Sequence, residues 1–278
     1  MNEAQTCEAP RSPGIEPRWT SSAKSGVGTA LLACTRDLGL IVTGEHGFFS
    51  EEKRHAEHQI KSLASGIPAY DLVNTHAGHY RITKRIVSDP YRDVVLQRLT
   101  FEALSQTGGR YRVYALLAPH LVNAGASNTA WLGEYKGVPM LFAQGRGTAL
   151  AMACTVPWRN ASAGFVGYSD GWQMLSRNGR LDPIWTRAQN GNVALIGEID
   201  FTQADEVTLA LGFGQHPEEA AQWSTDGWRT TQDDPTRDTG LGVHVVDVPG
   251  RNACSRHHHP VHAVLDPASA LGGNRLLG

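Results

Sequence analysis

The chain has 278 residues, 41% hydrophobic and 19% charged, with a formal net charge of -2 at pH 7. That is enough chain to bury one good-sized core. The near-neutral balance gives no basic field for nucleic acid and no polybasic patch for an anionic membrane, so small neutral ligands or protein partners fit better. No run approaches the roughly 18 apolar residues that span a bilayer. The start, Met1–Cys7, lacks the charged n-region and apolar h-region of a secretory signal, so the chain as given is expected in the cytoplasm. Cys7, Cys34, Cys154 and Cys254 are scattered, form no C-x-x-C pair and read as free thiols.

Residues 1–17 hold Pro10, Pro13 and Pro17 among few apolar side chains, which predicts an extended or disordered lead-in. The domain is expected over residues 18–222, opening near Trp19. Cys34–Val42 reads as a strand, and the charged run Ser50–His58 as a surface helix or loop. Period-two runs follow: Tyr80, Ile82 and Ile86; then Val95, Leu99 and Phe101; then Tyr111, Val113, Ala115 and Leu117. Gly108-Gly109 predicts a hairpin turn between two of these strands, and Gly145-Arg146-Gly147 another before a strand over Ala149–Cys154.

Glycines and the Asp170-Gly171 pair predict a loop presenting Trp172. Val193, Leu195, Ile199 and Phe201 alternate down one face of a strand, which places Glu198 and Asp200 on the opposite, solvated face. Val207, Leu209, Leu211 and Phe213 form a late strand, and Pro217-Glu218-Glu219 reads as the acidic first turn of a helix. Residues 223–278, rich in Asp, Arg, His, Pro and Gly, are expected as an irregular tail in which Val243–Val248 could add one strand. Strands at this spacing, with no helices between them, predict an all-β antiparallel sandwich.

Several residue groups look like chemistry and read better as ordinary surface. His257, His258, His259 and His262 sit on no predicted scaffold, so they form an adventitious chelator rather than a built metal site. His55, Glu57 and His58 are one residue short of the H-x-x-E-H spacing and read as surface residues. Gly26-Val27-Gly28 and Gly145-Arg146-Gly147 lack the third glycine and the helix of a dinucleotide loop. Asn160-Ala161-Ser162 fits the N-glycosylation pattern by accident. No metal and no cofactor is assigned.

Five stretches carry more specific information: Pro17–Gly28, Asp89–Arg98, Asn128–Pro139, Ser162–Trp172 and Asn190–Asp200. In this order they resemble the N-terminal β-sandwich of bacterial glucoamylases and glucodextranases, glycoside hydrolase family fifteen. The resemblance runs from about Pro13 to Ala221. It implies a large two-sheet sandwich of the galactose-mutarotase-like kind, preceding an (α/α)6 barrel that carries both catalytic carboxylates. Nothing after Ala221 resembles that barrel, so the chain is expected to be truncated before it. Only Leu31, Leu32 and Ala33 stand where the family has a further strand-forming, aromatic-rich segment, which implies an internal gap and an unpaired edge.

Inverting glycoside hydrolysis needs an acid and a base carboxylate about 6.5–9.5 Å apart. The acids nearest the family motifs are Glu134, Asp170, Glu198 and Asp200, and no catalytic pair can be named among them. Trp131, Tyr135, Tyr168, Trp172 and Trp185 lie in Gly-, Asn- or Asp-rich neighbourhoods, where rings could stack on sugar faces. They could equally fill the sandwich core or a seam against a catalytic domain, with Lys136 and Arg159 at its polar rim. The resemblance therefore implies a non-catalytic sandwich of α-glucan metabolism that supports a barrel. Its partners would be that barrel or an α-glucan oligosaccharide. The alternatives are a free-standing carbohydrate-binding module and a non-functional gene remnant.

Overall fold

The computed structural model describes residues 6–7, 34–63, 69–89, 92–104 and 110–233. The first half of the described chain holds β1 (Thr6–Cys7), β2 (Thr35–Thr43), β3 (Phe49–Glu51), helix α1 (Glu52–His55), β4 (Glu57–Ser62), β5 (Ala69–His76), β6 (Tyr80–Ser88), β7 (Val94–Ala103) and β8 (Arg112–Pro119). It continues through β9 (Asn128–Tyr135), β10 (Val138–Gly145), β11 (Thr148–Cys154), β12 (Ala161–Phe165), α2 (Gly171–Asn178), β13 (Arg187–Gly191), β14 (Val193–Ile199), β15 (Glu206–Gly214) and α3 (Pro217–Asp233). A ten-stranded sheet, ordered β1-β13-β9-β10-β11-β15-β7-β6-β5-β4, faces a five-stranded sheet, β12-β14-β8-β2-β3. The short contact of β1 with β13 is parallel. The long ladders, such as β6 with β7 and β2 with β8, are antiparallel.

Alternation along each strand builds the core between the sheets. Tyr80, Ile82, Val95, Leu99, Val207, Leu209, Leu211 and Phe213 enter it from the large sheet, and Val113, Ala115, Leu117, Val193, Leu195 and Ile199 from the small one. Ile86, Phe101, Tyr111 and Phe201 pack at its rim. The all-β two-sheet arrangement thus follows the period-two runs of the sequence.

Helices cover both outer faces. On the small sheet, Met174, Leu175 and Leu181 in and after α2 pack on Ile41, Tyr114 and Ile196. On the large sheet, Ala220 and Ala221 of α3 meet Ala149, Ala151 and Ala153. Further along, Trp223 and Trp228 cover Val94, Leu96 and Ala210. The approach is close: a Cβ at Gly212 would meet the Ala220 carbonyl oxygen and lie 2.7 Å from the Ser224 amide nitrogen. Ser224 Oγ accepts from the Gly212 N–H at 2.9 Å and donates to the Ala151 carbonyl at 2.7 Å. The helix expected at Pro217 therefore runs on to Asp233, past the boundary expected after residue 222, because the residues beyond that boundary supply the two tryptophans that finish the outer layer.

Local readings are corrected in three places. β7 and β8 belong to different sheets, so the strands on either side of Gly108-Gly109, which lies outside the described residues, do not pair as a hairpin. Asp170-Gly171 opens a helix rather than a loop. The Asp170 carboxylate accepts from the Gln173 N–H at 3.0 Å and from the Gly167 N–H, an N-cap that satisfies otherwise orphaned donors. Gly179, at φ 66°, ends that helix in the left-handed region. Ser50–His58 is surface only in part: Arg54, His55 and Glu57 are exposed, but Ser50 and Glu52 are completely buried, for reasons given below. Gly145-Arg146-Gly147 does form its hairpin, with Arg146 and Gly147 both at positive φ as a type I′ turn requires.

Thr6–Cys7, inside the expected lead-in, pairs with Arg187–Ala188. The Pro17–Gly28 motif, the shortened stretch at Leu31–Ala33, Val243–Val248 and the His257–His262 run lie outside the described residues. No helix among the described residues is long and apolar enough to cross a membrane. Cys34 and Cys154 are buried and form no disulfide, and burial pushes the Cys154 thiol up to about 12.

Candidate functional site

Three of the expected site residues meet on the outer face of the large sheet, beside α3. Alternation sends Ala130 into the core, so Trp131 and Tyr135 point outward, as do Met140 and Phe142 on the neighbouring strand. Trp131 stacks on Phe142 with ring centroids 5.3 Å apart and planes 6° from parallel, and the Arg187 guanidinium carbon lies 5.5 Å from the Trp131 ring. Gly133 makes room for this stack, since a Cβ there would lie 2.9 Å from Phe142 Cε2. Tyr135 donates its hydroxyl to Gln222 Oε1 at 2.8 Å. Lys136, exposed in a turn at φ 51°, donates to the same oxygen at 2.7 Å, with its Nζ 5.0 Å from the Tyr135 ring centroid. All of these rings are half-buried except the fully buried Phe142.

The other three belong to the opposite side of the molecule. Trp172 lies on α2, packs edge-on against Phe49 and donates Nε1–H to Glu51 Oε2 at 2.9 Å. Trp185 touches both the central core and the cluster under α2, and its main chain is tied to Ser162 and Ala163. Tyr168 alone stands free in solvent, 61% exposed. The aromatics therefore divide between two faces and form no single row. Phe142, Arg187 and Gln222 complete the first group. Phe142 was readable from its alternation with Met140, but no sequence signal pointed to Gln222.

Three of the four acids are occupied. Glu134 is exposed, and Asp170 is the buried helix cap. Glu198 and Asp200, expected in solvent, are buried because the chain folds back over that strand face. The Asn160 amide donates to Glu198 at 2.8 Å, and Arg112 Nε lies 3.9 Å from Glu198. Asp200 accepts from Thr202 and Gln203 and pairs with Arg159 at 3.2 Å. The Thr202 hydroxyl, then Gln203, hold its carboxyl down at about 2. An acid so strong is anionic at any working pH and unsuited to protonating a leaving group.

The buried polar cluster lies elsewhere, at the β3–β6 end. Glu52, wholly buried, accepts from Lys84 Nζ at 2.7 Å, from the Leu40 N–H at 2.9 Å and from Asn74 Nδ2 at 2.7 Å. Lys84, itself only 4% exposed, shares the inward face with Tyr80 and Ile82. His58, half-buried rather than on the surface, spans Asn74 Oδ1 at 2.9 Å and the Lys53 carbonyl at 3.2 Å, while the Lys53 ammonium pairs with Asp37. Every polar group in this cluster is answered, so it reads as structure rather than as a reactive centre.

Fold and surface together define a large two-sheet sandwich with helix-covered outer faces and its strongest acid locked in structural bonds. The chain belongs to the family described as glucodextranase, domain N, which matches residues 32–237. It is 27% identical over 239 residues to a glucoamylase of Clostridium sp. (strain G0005), an alignment covering 77% of this chain and 34% of that protein. It superposes on a bacterial glucoamylase solved in complex with acarbose, with a TM-score of 0.69 at 26% identity, over 83% of this chain and 38% of that one. The chain thus spans little more than a third of the length of the relatives it matches.

Proposed function

We propose that this sandwich is a non-catalytic support for an (α/α)6 barrel that hydrolyses α-glucans, and that the barrel docks on the outer face formed by Trp131, Tyr135 and Lys136 beside α3. The observation that carries the reading is the match to bacterial glucoamylase, which takes in most of this chain and leaves the larger part of that enzyme unmatched. The Trp131–Phe142 stack, half-open to solvent with Arg187 and Lys136 at its rim, has the apolar centre and polar border of a domain seam. It also adjoins α3, the last of the described elements.

The test is co-expression with the barrel portion of the Clostridium glucoamylase. The two pieces should co-purify, and Trp131→Ser with Tyr135→Ser should abolish this while leaving the sandwich folded. Failure of the parent chain to retain the barrel would refute docking. Retardation of the isolated chain in a starch-containing gel, lost on Tyr168→Ala, would favour a carbohydrate-binding module instead.

A further inference from the structure

We propose that β4 is a dimerisation edge: two copies of this chain pair antiparallel along it, across a two-fold axis at Gln59, and their large sheets run on as one. Among the described residues β4 is the last strand of the ten-stranded sheet, and all of its residues except half-buried His58 are exposed. Ile60 and Leu63, each 37% exposed, put apolar surface at the same border. The main chain there is ready to pair. The Leu63 N–H donates to the Ala69 carbonyl at 2.9 Å, continuing the register that matches Glu57 with Thr75 and Ser62 with Tyr70. Bonded and non-bonded pairs alternate in an antiparallel ladder, so residues 57, 59 and 61 bond to β5 while His58 and Ile60 turn their N–H and C=O groups to the open side. Such a row is a template for another strand.

Charge selects the partner and the register. A lysine on an edge ordinarily deters pairing, but here Glu57 precedes Lys61 by four residues on the same face. With Gln59 opposite Gln59, each Glu57 lies directly across from the other copy's Lys61, and the free groups of each His58 meet those of Ile60. Moving the axis one residue toward the C-terminus, to Ile60, sets Lys61 against Gln59 and Glu57 against Leu63, and both ion pairs are lost. Parallel pairing sets Glu57 beside Glu57. The edge is therefore self-complementary in one arrangement, as a two-fold interface requires.

Sedimentation across a wide range of concentration should give a reversible monomer–dimer equilibrium. Lys61→Glu should weaken the dimer by about tenfold or more, and Glu57→Lys combined with Lys61→Glu should restore it. Ile60→Pro should also weaken it, since it deletes an outward N–H and leaves the β5 bonds intact. Gln59→Cys should form a disulfide-linked dimer on mild oxidation, because non-bonded antiparallel partners sit about 4.5 Å apart between Cα atoms, within disulfide reach. Glu57→Cys, facing residue 61, should not. A native-like chain by circular dichroism that stays monomeric throughout overturns the proposal. So does a dimer indifferent to Lys61→Glu and Ile60→Pro, or equal crosslinking at 57 and 59. Strong hydrogen-exchange protection of the His58 and Ile60 amides in a monomer would likewise overturn it, by assigning the edge to another segment of the same chain.

Discussion

Replacing Lys84 with Met should destabilise the sandwich by about 3 kcal/mol, a large effect for a side chain that touches no ligand and no surface. The parent carboxylate of Glu52 has no solvent contact and three donors among the described residues, of which Lys84 Nζ at 2.7 Å is the only cation. Breaking one side of a buried pair typically costs about 3–5 kcal/mol, because the remaining charge stays desolvated. Two surviving donors, the Leu40 N–H and the Asn74 amide, place the expected loss at the lower end of that range. Methionine fills most of the volume of the lysine stem, so a cavity adds little. Urea unfolding at pH 7, followed by far-ultraviolet circular dichroism, should show the loss as a shift in midpoint at constant slope. Glu52→Gln with Lys84→Met should recover at least about half of it, since no charge is then left behind. A single-variant loss below about 1 kcal/mol, or a double variant no better than the single, would refute the view of Glu52–Lys84 as a desolvated, mutually dependent pair.

Purified chain incubated with maltooligosaccharides, isomaltooligosaccharides and soluble starch should release no glucose above a buffer control; turnover abolished by Glu198→Gln or Asp170→Asn would make those acids catalytic after all. Asp200 stabilises the fold fully where it is ionised in both states, since its folded value of about 2 lies below the ordinary 3.8. Its contribution is therefore complete above about pH 4 and fades as pH falls toward 2, so Asp200→Asn should cost roughly 1–2 kcal/mol at pH 7 and much less near pH 2 in parallel urea titrations. Trp131→Ser should cost less stability than Trp172→Ser, by at least about 1 kcal/mol, because Trp172 also anchors Glu51 and Phe49 across the sheet. Equal losses would put Trp131 in the folded core and count against the docking face.

Period two made the core legible, because Val207, Leu209, Leu211 and Phe213 can enter it only from a strand, and the family stretches named the sandwich. What escaped the sequence was covering. Glu198 and Asp200 do point away from the central core, as alternation requires, yet whether that face meets water depends on Asn160, Arg112 and Arg159 reaching over it from other parts of the chain. Lys84 was visible as a charge among Tyr80, Ile82 and Ile86, but its counterion lies 32 residues away in the chain. Gly108-Gly109 carries ordinary turn chemistry, which cannot say whether the next strand joins the same sheet. Site residues suffered likewise: Trp131 and Trp172 have similar Gly-rich neighbourhoods, and only the sheet topology assigns them to opposite faces.

The place of α3 over the large sheet has a consequence for biogenesis. The strands beneath it, β7, β11 and β15, are sealed by the small sheet on one side and by the helix on the other, and that helix is made after every strand it covers. A ribosome-bound chain that has already paired all its strands still presents bare alanine and valine on its outer surface until Trp223 and Trp228 emerge. The nascent sandwich is therefore most in need of a chaperone at its final step, when it already holds almost all of its β structure.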